Sequence, residues 1–348
     1  MAGGRGTRFW PRSRKRNAKQ VLRFFGERTL IQQTVDRLNG VLPPENIWIL
    51  TNEFLQAEIR KQLPEVPRQQ IIAEPSQRNT APCIGLAAQI MAQLDSEAIM
   101  GVFPADHLIL KEGRFRNFVK AAFRAAESGG VVVLGVQPRW AETGYGYIEF
   151  AKNVTPGKID ALPVASFREK PDARTAKRFV ERGNFFWNAG MFFWRASTVL
   201  ELMRHYQPKT ATLLAGLPPF GSKQFHARLA EAYPLCENIS VDYAIIEKAE
   251  EVSGIALDDI GWNDVGSWEA VYDLAEKDAN GNASRNDLIV EGSRGNYVDA
   301  DKPVALVGVE NLVIVDTPDA LLVATREGTQ NVSKLVKTLE AEQREDLL

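Results

Sequence analysis

The chain has 348 residues, 45% of them apolar and 25% charged, which fits roughly two domains of ~100–200 residues and excludes disordered or fibrous classes. No apolar run reaches the ~18 residues a membrane helix needs, and the glycine- and arginine-rich start lacks the apolar core of a secretory leader. A net charge of −2 gives no overall pull toward nucleic acid or membrane. Cys83, Cys236 and three histidines are too few for a disulfide framework or a histidine-rich metal site, which points to a reducing cytoplasm.

The charge is uneven. Residues 1–28 hold nine Arg or Lys against one acid, Glu27. A solvated basic tail or a transit peptide has such a bias. Here, however, Gly3, Gly4, Gly6 and Thr7 open the same segment. A glycine-dense loop lets backbone N–H groups approach phosphate while neighbouring cations neutralise it. The combination asks for a polyphosphate ligand. From 47 to 137 strand and helix patterns alternate: strands over 47–51, 70–74, 98–103 and 131–136, helices over 53–62, 80–94 and 115–126. Asn79 or Thr80 is the expected cap of the second helix. This spacing predicts βαβ units and a mostly parallel sheet. Strands follow at 145–150, 165–170 and 185–194, then helices near 196–205, 222–232, 240–249 and 265–276. After Asn280-Gly281-Asn282 the texture changes to short strands over 287–325, compatible with a few β-helix coils, and a helix over 331–345. The expected division is a catalytic domain over 1–280 and a β-rich domain with a terminal helix over 281–348.

The glycine loop fits neither common phosphate signature. A dinucleotide fingerprint counted from Gly4 and Gly6 meets Phe9 where a third glycine belongs, and no P-loop string occurs. What remains is Gly3-Gly4-Arg5-Gly6-Thr7-Arg8 with Lys19 eleven residues on, an arrangement suited to a triphosphate losing pyrophosphate. The string MAGGRGTRFWPRSRKRNAK resembles the signature loop of the sugar-1-phosphate nucleotidylyltransferases, and Phe9-Trp10-Pro11 is similar to their mannose-1-phosphate guanylyltransferase branch. Further stretches agree in order: Glu74-Pro75, Arg78-Asn79-Thr80-Ala81-Pro82, Pro104-Ala105-Asp106-His107, Thr143-Gly144-Tyr145-Gly146-Tyr147-Ile148, Phe167-Arg168-Glu169-Lys170-Pro171, Trp187-Asn188-Ala189-Gly190-Met191-Phe192, Val241-Asp242-Tyr243-Ala244 and Trp262-Asn263-Asp264-Val265-Gly266-Ser267-Trp268. The resemblance implies a Rossmann-like α/β nucleotidyltransferase domain and a small C-terminal β domain. It also implies GTP and mannose 1-phosphate as substrates, GDP-mannose as product, Mg²⁺ as cofactor and a homodimer as one possible assembly. Two departures stand out. Arg12 and Ala18 replace the usual Leu and Pro, which predicts a looser segment around Lys19. The apolar strand that normally precedes the glycine loop is also missing, so the natural protein is expected to begin several residues upstream.

The resemblance assigns Asp106 and Asp264 to the metal; on residues alone, each could instead cap a turn or helix. It assigns Arg8 and Lys19 to the departing pyrophosphate, with Gly3, Gly4, Gly6, Thr7, Asn79 and Thr80 around the nucleotide. Guanine presents two adjacent donors, N1–H and the N2 amino group. A carboxylate accepts both, so Glu74, at a strand end, is the candidate base reader, with a surface Glu as the plain alternative. Lys170 is assigned to the sugar phosphate and Glu169 to a sugar hydroxyl, unless the two form only a surface ion pair. Asn188 and Gly146 join them on the sugar side. The aromatic run 185–194 reads as core, and the histidines receive no role. Two further readings stay open: the same chemistry on another hexose 1-phosphate or nucleotide, and a non-catalytic regulatory protein on this fold.

Overall fold

The computed structural model describes residues 1–151 and 154–348. The first unit alternates β1 (Ile49–Asn52), β2 (Ile71–Glu74), β3 (Ile99–Val102) and β4 (Val131–Val136) with α1 (Leu30–Asp36), α2 (Glu53–Gln62), α3 (Thr80–Leu94) and α4 (Glu112–Ala126). It continues through β5 (Tyr147–Phe150), β6 (Leu162–Arg168), α5 (Ala173–Arg182) and β7 (Phe185–Arg195). Then come α6 (Ala196–Tyr206), α7 (Pro208–Ala215), α8 (Phe225–Ala232), β8 (Val252–Ala256) and α9 (Trp268–Leu274). Six strands form one sheet in the order β3-β7-β4-β8-β6-β5, and β1 pairs with β2 beside it. β7 inserts antiparallel between β3 and β4, and β6 runs antiparallel to β8. The remaining four strands share one sense, but with β6 and β7 running against them the sheet is mixed: β4–β8 pairs in parallel and its other described ladders are antiparallel, while β1–β2 beside it is parallel.

Met1 and Ala2 lie between β1 and β3. The Met1 ammonium donates to Phe103 O at 2.8 Å, Ala105 N–H to Met1 O at 3.1 Å and Ala2 N–H to Leu50 O at 2.7 Å. The glycine loop therefore leaves from a central sheet position, at the carboxyl ends of β1, β2 and β3, where open α/β sheets gather their ligands.

Both sheet faces are covered. The β7 run Phe185–Arg195 alternates its side chains, with Phe186, Phe192 and Trp194 packing toward α3, α6 and α8, and Phe185, Trp187 and Phe193 toward α4 and α5. The aromatic run is core, as expected. Cys83 and Cys236 are buried thiols.

The second unit contains β9 (Ala283–Ser284), β10 (Leu288–Glu291), β11 (Tyr297–Asp299), β12 (Val304–Val307), β13 (Leu312–Asp316) and β14 (Leu321–Thr325), followed by α10 (Val332–Ala341). Tyr297 pairs in parallel with both Ala283 and Val313, and Leu288 with Val304, so successive strands stack as coils of a short β-helix. Buried Asn296 bridges the coils: its Nδ2 donates to Asn282 Oδ1 at 2.9 Å, and its Oδ1 accepts from Leu312 N–H at 2.9 Å. Among the described residues, no helix is long and apolar enough to cross a membrane.

The basic N-terminal segment joins the two units. Arg12 donates twice to buried Asp299, at 2.6 and 3.0 Å, and Arg14 and Lys15 pair with Asp319 and Glu345. Trp10 Nε1 donates to Leu347 O at 2.9 Å. This corrects the looser segment expected from Arg12: the side chain clamps the loop to the β domain.

Candidate active site

A cleft of about 870 Å³ opens at the carboxyl ends of β1–β3 and gathers residues from across the whole chain. Its phosphate end is the glycine loop. The loop carbonyls are taken up by side-chain donors. Gln20 Nε2 donates to the oxygens of Ala2 and Gly4, Gln77 Nε2 to Gly3 O, and Ser13 Oγ to Arg5 O. By contrast, the N–H groups of Gly3, Gly4, Arg5, Gly6, Thr7 and Arg8 donate to no group of the described residues. A run of free backbone donors with pinned carbonyls is an anion nest. Gly6 makes it possible: its φ is +62°, and a Cβ there would stand 2.6 Å from Lys19 Cβ.

Two sequence-distant carboxylates meet next to the loop. Reciprocal hydrogen bonds between Leu108 and Asn263 (2.9 and 3.0 Å) tie the turn after β3 to the loop before α9, bringing Asp106 and Asp264 to one wall. Asp106 Oδ2 accepts from Lys19 Nζ at 2.9 Å, and Asp264 Oδ1 accepts from the Tyr145 hydroxyl at 2.6 Å. Burial would raise the Asp106 carboxyl, but the Lys19 ammonium holds it below the usual carboxylate range. Burial beside Asp264 keeps the Tyr145 hydroxyl protonated. Neither carboxylate caps a helix. Ser267 caps α9 by accepting from Ala270 N–H. His107 is driven down to about 4 by burial, and its neutral Nδ1 accepts from Trp262 Nε1 at 3.2 Å.

Glu74 ends β2 in register with Asn52 and is 9% exposed. Tyr233 donates its hydroxyl to Oε1, while Oε2 faces Gly3, where a Cβ would stand 3.1 Å away. Burial pushes the Glu74 carboxyl up to about 7 despite that hydrogen bond. Asn79 caps α3 at positive φ (63°), its Oδ1 accepting from Thr80 N–H. The Thr80 hydroxyl accepts from Val241 N–H at 2.8 Å, so it anchors a neighbouring loop rather than standing free.

At the opposite end, the β5–β6 register places Gly146 beside Glu169 and Lys170. A Cβ on Gly146 would stand 2.5 Å from Glu169 Oε2 and 3.0 Å from Phe167, so any larger residue has to displace the Glu169 carboxylate. Lys170 turns at φ 44° before Pro171, and its Nζ meets Glu169 Oε1 at 2.8 Å. The pair belongs to the cleft, since Glu169 is only 7% exposed. Asn188 Nδ2 donates to Asp242 Oδ1 at 2.9 Å. Burial and the Glu169 charge push Asp242 up to about 6.

Sequence reasoning placed Gly3, Gly4, Gly6, Thr7, Glu74, Asn79, Thr80, Asp106, Gly146, Glu169, Lys170, Asn188 and Asp264 together, and all line this cleft. Arg8 and Lys19 do not line it. Lys19 is 6% exposed beneath the loop, also donating to Asp264 O at 2.6 Å, and Arg8 is exposed near Gly266. Tyr145, Asp242, Gln20 and Ser13 were missed, although Tyr145 and Asp242 stand inside motifs already singled out. No sequence signal marked Gln20 or Ser13.

The chain matches the nucleotidyl transferase family over residues 1–281 and a mannose-phosphate isomerase/GMP-like β-helix domain over 287–339. It is 39% identical to mannose-1-phosphate guanylyltransferase of Escherichia coli, covering 99% of this chain and 74% of that one. It is 37% identical to the alginate biosynthesis protein AlgA of Pseudomonas putida, covering 99% and 71%. A solved structure from Thermus thermophilus, described as mannose-1-phosphate geranyltransferase, superposes with a TM-score of 0.86 at 31% identity and 98% coverage of both chains.

Proposed function

The chain belongs to the nucleotidyl transferase family, and on that premise we propose that it transfers GMP from GTP to α-D-mannose 1-phosphate, releasing pyrophosphate and GDP-mannose. The observation that carries this reading is the anion nest of the glycine loop, which shares one cleft with the buried carboxylate of Glu74 and with the polar group Glu169, Lys170 and Asn188. The identity to curated guanylyltransferases supports the choice of substrates.

The sugar phosphate is already an anion, so a phosphate oxygen attacks the α-phosphorus of GTP in line. A new O–P bond forms as the bond to the β-phosphate oxygen breaks. No protein nucleophile or base is needed. Catalysis then comes from positioning and charge neutralisation. The free loop N–H groups bind the triphosphate without reorganising. Lys170, held by Glu169, aligns the attacking phosphate, and Glu74 reads the guanine edge.

Among the described residues, no group of three or more His, Cys, Asp or Glu side chains could enclose a metal. Asp106 Oδ1 and Asp264 Oδ2 nonetheless accept no hydrogen bond from the described residues, leaving one free oxygen on each. Two carboxylates completed by substrate phosphate is the donor set Mg²⁺ prefers, so the residues fit it. Bound there, Mg²⁺ would neutralise charge building on the phosphates. Lys19 and Tyr145 hold the two carboxylates in place.

Pyrophosphate release across four nucleoside triphosphates and several sugar 1-phosphates tests the reading. GTP with mannose 1-phosphate should give the highest kcat/KM; preference for another pair refutes the substrate assignment, and no turnover with any pair refutes the activity.

A further inference from the structure

The helix that ends the β-helix domain reaches back over the glycine loop. Val332, Val336 and Leu339 of α10 are buried with Phe9, Trp10 and Trp268. That apolar stripe fixes the helix roll. The adjoining stripe, Ser333, Lys337 and Glu340, lines the cleft with Arg5, Gly6 and Thr7. Glu340 pairs with Arg5 at 2.5 Å, fastening the helix to the loop that carries the free N–H donors.

Charge accounting then singles out one side chain. Six of the nine cations of the N-terminal segment are spent on carboxylates: Arg5 on Glu340, Arg12 on Asp299, Arg14 on Asp319, Lys15 on Glu345, Lys19 on Asp106 and Arg28 on Asp36. Of the cationic side chains lining the cleft, Arg5 and Lys170 are paired, while Arg78, which also has no carboxylate partner among the described residues, stands beside Asn79, away from the nest. Lys337 is exposed, lines the phosphate end and has no carboxylate partner among the described residues. A triphosphate in the nest carries more negative charge than backbone dipoles alone neutralise.

We propose that α10 completes the phosphate end of the nucleotide cleft, with Lys337 as a ligand of the β- and γ-phosphates and the Arg5–Glu340 pair holding the helix in place. The β-helix domain thus supplies part of the binding site rather than a spacer. This rests on the reading of GTP as substrate.

The test measures binding of inorganic pyrophosphate to wild type, Lys337→Ala and Lys337→Arg by calorimetry, alongside KM for GTP and for mannose 1-phosphate. Lys337→Ala should weaken pyrophosphate binding and raise KM for GTP by about tenfold, the worth of one charge-assisted contact. KM for mannose 1-phosphate and the melting temperature should stay at wild-type values. Lys337→Arg, which keeps the charge, should recover most of the affinity. Unchanged pyrophosphate affinity in Lys337→Ala overturns the proposal, as does an equal rise in both KM values. A wild type inactive with GTP refutes the substrate reading, and the pyrophosphate titration still decides the role of Lys337.

Discussion

Glu74 makes base selection depend on pH in a way that can be calculated. Burial raises its carboxyl from 4.5 to about 7. Because the folded value exceeds the unfolded one, the fold holds the proton more tightly. That stabilisation, ~3 kcal/mol by the shift, is complete below pH 4.5 and lost as the pH rises through about 7. Guanine offers two donors and wants the ionised form. Adenine offers one acceptor and one donor, which a protonated carboxyl can match. With half-ionisation at about 7, roughly one-tenth of Glu74 is ionised at pH 6 and nine-tenths at pH 8. The ratio of kcat/KM for GTP over ATP follows the ratio of ionised to protonated Glu74 and should therefore rise by about a hundredfold between those two values. Using the ratio cancels titration of the triphosphate and of Asp242, which both nucleotides share. Glu74→Gln should flatten the profile and cost ~1–3 kcal/mol with GTP. A ratio that stays level from pH 6 to 8 in wild type, or a profile that survives in Glu74→Gln, would refute Glu74 as the base reader.

Asp106→Asn or Asp264→Asn should leave the fold intact but lower turnover by ~10²-fold or more at saturating Mg²⁺, since each removes a fixed charge at the transferring phosphates; near-wild-type rates would defeat the two-carboxylate assignment. Gly146→Ala drives a methyl to 2.5 Å from Glu169 Oε2, and should raise KM for mannose 1-phosphate at least ~10-fold while KM for GTP changes little. Arg12→Ala removes the twice-donating partner of buried Asp299 and leaves it only Arg285 at 3.6 Å; it should cost ~1–3 kcal/mol in denaturant unfolding, which an unaltered midpoint would contradict.

How much of this was legible in the residues depended on the range of the forces involved. α2, α3 and β4 were read with matching ends because their caps and apolar periods are local: Asn52 caps α2, Asn79 caps α3, and Val131–Val136 is apolar throughout. α1 carries a capping box at Thr29 and Gln32, and α5 lies between Asp172 and Gly183, but both are short and their local signals are weaker than those of the neighbouring motifs. The helix expected over 240–249 is a π-helical turn at Asp242–Ile246, and such turns recur at functional sites. The insertion of β7 between β3 and β4 could not be read, because strand order is decided by tertiary packing and not by local period.

The site shows the same division. Residue types answered to chemistry, so the cleft carboxylates, glycines and Lys170 were recognisable, but the allocation of charge was not. Nine cations in the first 28 residues looked like a counter-charge for phosphate; in the fold Arg12, Arg14 and Lys15 instead neutralise acids of the C-terminal region. That allocation matters for catalysis. A loop whose N–H groups must stay open to anions cannot rigidify itself by its own backbone bonds, because those would consume the donors. Its rigidity has to come from outside, through side chains gripping the carbonyls and through ion pairs on the flanking residues. Gln20, Ser13 and Gln77 do the first, and Arg12, Arg14 and Lys15 do the second. The basic segment thus serves the phosphates mainly by holding the donors still, and charges at the rim are left to neutralise what the donors bind.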